Sequence, residues 1–88
     1  MKIIKITANW CPECLIMRPR WKEIMAEMPT LEVEDIDYDK NPDLRLKYNV
    51  KKSSTVIFFD KNGQELWRFI GLLEKDELMK KILELKNF

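Results

Sequence analysis

Apolar and polar residues change their spacing along the chain, and these changes divide its first half into three predicted elements. Residues 2–8 are largely β-branched and apolar, as is typical of a strand. From Pro12 to about Met28 the apolar residues recur at helical spacing instead. Leu31 to Tyr38 returns to the alternation of a strand, but the alternation breaks near Asp35, where we expect a twist or bulge.

The second half of the chain predicts four further elements. They are a short helix at about 42–48 with Asn41 as its N-cap, strands at 55–59 and 65–70, and a final helix at about 75–86. The Asn62-Gly63 pair between the last two strands favours a tight hairpin. Pro19 lies inside the first helix, where it removes a backbone hydrogen bond, so we expect a kink there.

The resulting order, β-α-β-α-β-β-α, predicts the α/β class. A helix joins the first two strands, which favours parallel pairing through a right-handed crossover. The last two strands form an antiparallel hairpin. We therefore expect a four-stranded mixed sheet with helices on its faces, in one domain that spans residues 1–88.

The overall composition limits the classes of partner. Hydrophobic residues make up 45% and charged residues 35% of the chain, and the net charge is +1. Because no stretch carries a strong single-sign field, we expect no nucleic-acid or membrane partner. No segment has the ~20 apolar residues of a membrane span, and the N-terminus has no signal-peptide pattern. The expectation is a cytoplasmic monomer.

The main candidate catalytic residues are Cys11 and Cys14, the chain's two cysteines. They lie in a C-x-x-C pattern where a strand leads into a helix. In a reducing cytosol such a pair is typically catalytic or metal-binding. A helix N-terminus favours a thiolate, and Cys11 lies at the turn before the helix, so we expect it to be the exposed nucleophile. Cys14, inside the helix, should be the shielded resolving thiol. Glu13 between them opposes the thiolate by like-charge repulsion.

The absence of histidine excludes histidine acid–base catalysis and mixed cysteine–histidine zinc sites. Two thiolates form only half of a four-cysteine metal site. We therefore expect no metal in a single chain. A metal shared by two chains remains an alternative, as does a non-enzymatic adaptor.

Several motifs in order resemble those of thioredoxin-like proteins over nearly the whole length, although the extra N-terminal strand and helix of a full thioredoxin are missing. The matching segments are Trp10-Cys11-Pro12-Glu13-Cys14, Pro19, Asp39-x-Asn41-Pro42, Tyr48-x-Val50, Phe59-x-Lys61-Asn62-Gly63 and Gly71. The resemblance implies a thioredoxin-like fold and a thiol–disulfide oxidoreductase.

The resemblance also implies how the protein would work. The redox-active disulfide Cys11–Cys14 would be the redox centre, with no bound cofactor. The partners would be a protein disulfide substrate and either an upstream reductase or glutathione. The substrate would dock in a groove lined by Trp10, Pro12, Ser53, Ser54, Thr55 and Gly71.

Two positions depart from the thioredoxin pattern. Ser54 stands where the family has a cis-proline, and because a non-proline cis bond costs ~2.5–4 kcal/mol, we expect a trans Ser53–Ser54 bond unless the packing forces the cis form. Lys5 stands where thioredoxins have a buried aspartate beneath the resolving cysteine. If its side chain points inward, its ammonium group should stabilise a thiolate.

Glutaredoxins are the nearest alternative within this resemblance, because Cys-Pro-x-Cys is their form of the motif. Glu13, however, stands where they usually have an aromatic residue. Their T-V-P segment corresponds to residues 52–54, and their paired glycines are reduced to Gly71-Leu72. Both departures concern the glutathione site, so dithiol exchange is favoured over glutathione-dependent activity.

Overall fold

Seven elements follow one another in the predicted order. The structure is a computed structural model that describes residues 1–86, so the last two residues of the predicted domain lie outside it. The elements are β1 (Lys2–Thr7), α1 (Pro12–Glu27), β2 (Glu32–Asp37), α2 (Pro42–Lys47), β3 (Thr55–Phe59), β4 (Glu65–Ile70) and α3 (Lys75–Leu85). The sequence prediction placed β3 and β4 at the same bounds. β1, α1, α2 and α3 begin as predicted and end one residue earlier, and β2 is one residue shorter at each end.

The four strands form one mixed sheet in the order β2-β1-β3-β4. β1 pairs with β2 in parallel, and β3 is antiparallel to both β1 and β4. This confirms the predicted α/β fold. Because of these strand directions, four connections lie at the same edge of the sheet, where the strand ends meet: those after β1, after β2, before β3 and after β4. The dithiol, Asp39, Ser53 and Gly71 all lie in these connections.

Each face of the sheet is covered by helices and carries its own apolar core. α1 and α3 cover one face, and the large side chains Trp21, Phe58 and Ile82 are buried beneath them. α2 lies on the other face, where Leu44 packs against a smaller core around Ile57. In the part of the chain that is described, no helix is both long enough and apolar enough to cross a membrane.

The bulge expected as one explanation of the break near Asp35 is absent, so that expectation was wrong. β2 pairs with β1 in continuous register from Glu32 to Asp37, and the register shift lies between Phe58 and Phe59, opposite β4. The alternation breaks for a different reason. The Asp35 carboxylate forms an ion pair with Lys5, at 3.3 Å from Oδ1 to Nζ. A charged residue therefore takes an apolar position on this face without a shift in the strand register.

Proline lies at the start of two helices, and a further proline inside one of them does not interrupt that helix. Pro12 and Pro42 occupy the first turns of α1 and α2, where a missing N–H is not needed. Pro19 lies within α1, which continues to Glu27. Asn41 is the N-cap residue of α2 as predicted, but its side chain donates to the Asp37 carbonyl oxygen at 3.0 Å instead of capping the helix.

Candidate active site

The two cysteines lie at the first turn of α1, where the connection from β1 enters the helix. Cys11 is the N-cap residue, with extended backbone angles. Its N–H donates to the Ala8 carbonyl oxygen at 3.2 Å, and its sulfur accepts from the Cys14 N–H at 3.4 Å. A sulfur thus takes the position in which serine or aspartate oxygens usually cap a helix. Both cysteines are thiols in this structure.

Both thiols are buried, so the expectation of an exposed Cys11 was wrong. Cys11 is 1% exposed and Cys14 5% exposed. They form a small apolar cluster with Ala8, and the Tyr38 side chain packs against it from the connection after β2. The predicted shielding of Cys14 is confirmed. The parallel pairing of β1 and β2 explains the burial of Cys11, because it brings Tyr38 alongside the N-cap.

The thiols contact different polar groups. The Cys11 thiol donates to Glu13 Oε2 at 3.5 Å, so the carboxylate holds a proton on that sulfur. The Cys14 sulfur lies 3.3 Å from the Ser53 hydroxyl oxygen, which comes from the segment before β3. Ser53 therefore contacts a reacting atom directly.

These surroundings shift the pKa values of the two thiols in opposite directions. Burial, together with the hydrogen bond to Cys14, raises the pKa of Cys11. Burial also opposes the ionisation of Cys14, but hydrogen bonds from Cys11, Ser53, Ala8 and Ser54 outweigh it and lower the pKa of Cys14. The opposite shifts make Cys14 the more acidic thiol of the pair.

The Ser53–Ser54 peptide bond is cis, so the expectation of a trans bond was wrong. Tertiary contacts determine the path of this segment. The Ser54 carbonyl oxygen accepts from the Gly71 N–H at 3.0 Å, and the Thr55 hydroxyl donates to the Lys52 carbonyl oxygen at 2.6 Å. These contacts fix the segment on both sides of Ser54.

The predicted docking residues surround the thiols but differ in exposure. Trp10 is 60% exposed and Pro12 is also exposed, whereas Ser53 and Gly71 are half-buried. Ser54 and Thr55 are buried, at 2% and 1% exposure. The accessible surface beside the dithiol is therefore formed by the first four residues, and Ser54 and Thr55 lie behind it.

Trp10 is held in place by two residues that were not predicted as site residues. Its indole N–H donates to Asp39 Oδ2 at 2.7 Å. Its ring meets that of Tyr38 edge-on, with centroids 5.9 Å apart. A signal was present in the sequence: β1 and β2 were predicted to be parallel neighbours, so the residues that follow them must meet at one edge.

Lys5 points inward, which meets the condition stated for its role. The residue is 8% exposed, and its ammonium group lies 5.2 Å from the centre of the Trp21 ring in addition to its ion pair with Asp35. Trp21 lies on the same face of α1 as Cys14, two turns further on. Lys5 is the only buried cation among the described residues, and it lies beside the face of α1 that carries Cys14 and Trp21.

A family model of thioredoxin matches residues 1–84. The chain belongs to the thioredoxin family. Thioredoxin from Chlamydia trachomatis is 35% identical over 80 residues, which cover 91% of this chain and 78% of that protein. Thioredoxin-1 from Caenorhabditis elegans is 37% identical over 82 residues, 93% of this chain and 70% of that protein.

Solved thioredoxin structures show the same fold. The thioredoxin NaTrxh from Nicotiana alata superimposes with a TM-score of 0.83 at 31% identity, over 94% of this chain and 70% of that one. The Fasciola hepatica thioredoxin gives 0.82 at 29% identity, over 94% and 78% of the two chains. Family and site agree: the protein is a thiol–disulfide oxidoreductase that acts on protein disulfides through a C-x-x-C pair.

Proposed function

We propose that this protein works as a reductant in which Cys11 attacks the substrate and Cys14 resolves the intermediate. The observation that carries the proposal is the pair of thiols at the N-terminus of α1, where the Cys11 sulfur accepts from the Cys14 N–H, beside the exposed Trp10 and Pro12. Cys11 is the N-cap residue and lies between Trp10 and Pro12 in sequence, whereas Cys14 lies inside the helix, so we assign the attack on the substrate to Cys11.

The reaction has two exchanges. In the first, the Cys11 thiolate attacks one sulfur of the substrate disulfide. A Cys11–substrate bond forms, the substrate disulfide breaks, and the leaving thiolate takes a proton from solvent. In the second, the Cys14 thiolate attacks Cys11, and the other substrate sulfur leaves with the electron pair. The substrate is reduced by two electrons, and the Cys11–Cys14 pair is oxidised to a disulfide.

The lowered pKa of Cys14 is compatible with this order. The two thiols share their protons as a coupled pair, and the rate of exchange also depends on access and on the intrinsic nucleophilicity of each sulfur. Hydrogen bonds from Ser53, Ala8 and Ser54 lower the pKa of Cys14 and do not involve the Cys11 thiol, so they still favour the attacking thiolate once the mixed disulfide forms. This limits the lifetime of the mixed disulfide.

Trapping the intermediate tests the order of attack. We expect Cys14→Ser to accumulate a stable mixed disulfide with a protein disulfide substrate such as insulin, detected by mass spectrometry. Cys11→Ser should form none under the same conditions. A mixed disulfide that accumulates with Cys11→Ser and not with Cys14→Ser would reverse the two roles.

We further propose that the protein is a cytoplasmic monomer, that the dithiol is its redox centre without a bound cofactor, and that an upstream reductase returns it to the reduced state. The mixed charges and the lone C-x-x-C pair support this setting. Equilibration with glutathione and dithiothreitol buffers measures the potential. A value near the ~−120 mV of strongly oxidising dithiol proteins would contradict a reductant.

A further inference from the structure

A cavity behind the dithiol connects Cys14 with the Lys5–Asp35 ion pair. Its volume is about 310 Å³, and its walls include Cys14, Ser54, Lys5 and Asp35. Asp35 is exposed, while Cys14, Ser54 and Lys5 are buried. The cavity therefore leads from the protein surface to the inner side of the resolving thiol, and it is large enough to hold water.

The charges around this cavity are mostly positive. β1 contributes Lys5, α1 contributes Arg18 and Lys22, and β2 contributes Asp35. Glu13 lies on the other side of the dithiol, beside Cys11. The segment before β3 contributes Ser54 and no charged group to the cavity wall.

Among the cations of the cavity wall, Lys5 has the charge that solvent screens least. Arg18 and Lys22 are exposed, so water and salt weaken their fields, whereas Lys5 is 8% exposed. Its partner Asp35 has a side chain that is 63% exposed. A well-hydrated carboxylate neutralises a buried ammonium group only in part, so a net positive field remains at the inner end of the cavity.

We propose that Lys5 is a positioning residue for the resolving step, and that its ammonium group stabilises negative charge on the Cys14 sulfur across this cavity. Asp35 limits the effect because its carboxylate reduces the field of Lys5. The inference rests on the proposed function, in which Cys14 releases a proton to solvent and then attacks the Cys11–substrate disulfide. The Cys11–Cys14 bond forms, the Cys11–substrate bond breaks, and the substrate thiolate leaves and is protonated.

The test measures the ionisation of Cys14 alone, in a Cys11→Ser background that keeps a hydroxyl at the N-cap. Thiolate absorbance is followed as a function of pH. We expect Lys5→Met to raise the Cys14 pKa by about 1, a roughly tenfold loss of thiolate at a fixed pH below the pKa. Asp35→Asn should lower the Cys14 pKa, because it leaves the Lys5 charge unopposed.

The opposite signs separate an electrostatic role from a structural one, since either substitution removes the same ion pair. Lys2→Met and Glu34→Gln break a second ion pair between the same two strands, at 3.0 Å, and should leave the Cys14 pKa unchanged. Lys5→Arg should retain the wild-type value and covers the case in which Lys5→Met does not fold. A Cys14 pKa that moves in the same direction in Lys5→Met and Asp35→Asn, or in neither, would overturn the inference.

Insulin reduction by the intact dithiol protein distinguishes a failure of this inference from a failure of the proposed function. Insulin reduction by the wild-type protein together with a Cys14 pKa insensitive to Lys5 would contradict the role of Lys5 alone. A Cys14 pKa that responds as expected in a protein that reduces no disulfide would contradict the proposed function alone.

Discussion

Cys11 and Cys14 are separated by one helical turn, yet each sulfur has a different neighbour that favours a different protonation state. Glu13 accepts a hydrogen bond from the Cys11 thiol and so favours the protonated form. The Ser53 hydroxyl can donate to the Cys14 sulfur and so favours the thiolate. The charge of the resting dithiol is therefore set by single side chains as well as by the helix terminus.

Replacing the Glu13 carboxylate tests its effect on the attacking thiol. We expect Glu13→Gln to lower the Cys11 pKa by about 0.5 to 1, because the neutral amide removes both a like charge and a charge-assisted acceptor for the thiol proton. Thiolate absorbance titrations measure the shift, and alkylation of Cys11 at neutral pH should accelerate with it. Glu23→Gln, further along α1, is the control for a general loss of negative charge. An unchanged or raised Cys11 pKa in Glu13→Gln would contradict this account.

Removing the Ser53 hydroxyl should have the reverse effect on the resolving thiol. Hydrogen bonds to a charged group contribute ~1.5–3 kcal/mol, so we expect Ser53→Ala to raise the Cys14 pKa by about 1. The disulfide reduction rate should then rise more steeply with pH in the neutral range, where less of Cys14 is ionised. Ser53→Thr retains a hydroxyl and serves as the matched control. Equal Cys14 pKa values in the alanine and wild-type proteins would show that the 3.3 Å contact has no effect on ionisation.

Residue chemistry was predictable from the sequence where it depends on near neighbours, and not where it depends on the fold. The C-x-x-C spacing and the adjacent Glu13 were enough to assign the reaction type and an opposing charge. The contacts from Ser53 to Cys14 and from Trp10 to Asp39 span 39 and 29 positions, and no local pattern specifies them. The burial of Cys11 was missed for the same reason, because Tyr38 comes from the connection after the next strand.

At the scale of elements, strands and helices were predicted well because each has a characteristic pattern of apolar residues. The continuous apolar run of β3, which is fully buried, is one example. The break at Asp35 was misread because a single strand does not reveal its cross-strand partner. Lys5 and Asp35 are directly opposite in the β1–β2 register, so the pattern becomes clear only when both strands are considered together.

Two glycines at the ends of β4 provide a matched test of how this element is tied to the site. Gly71 and Gly63 have φ of +91° and +84°, and an added Cβ would have open space at both. Because left-handed backbone is unfavourable for other residues, we expect alanine at either position to lower the free energy of unfolding by about 1–2 kcal/mol. Urea unfolding measures both losses.

The two variants should differ in activity. Gly71 donates its N–H to Ser54 beside the thiols, whereas Gly63 lies in the hairpin turn at the other end of β4. We expect Gly71→Ala to slow insulin reduction and Gly63→Ala to leave it near the wild-type rate, with both assayed where they are folded. Equal rates in the two variants would show that the connection after β4 does not position the site.

In the molecule as a whole, the dithiol lies at one edge of the sheet, and helices cover both faces of that sheet. The larger core joins α1 and α3 across β1, β3 and β4, so the helix that carries the dithiol is held by the same side chains that stabilise the fold. α1 is anchored there through Met17, Trp21 and Ile24. Loss of packing in this core should therefore affect both stability and the geometry of the thiols.

Leu78 of α3 is suited to test this dependence because it is fully buried in that core, far along the chain from the dithiol. We expect Leu78→Ala to lower the free energy of unfolding by about 2–5 kcal/mol, a large part of the ~5–15 kcal/mol typical of a small domain. Leu46→Ala is the control: Leu46 is 83% exposed on α2, so its loss should change stability by no more than ~0.5 kcal/mol. Urea unfolding of the reduced proteins gives both values. A Leu78→Ala variant as stable as Leu46→Ala would mean that the α1–α3 face contributes little to stability, and that the dithiol helix is held mainly by its own contacts with the sheet.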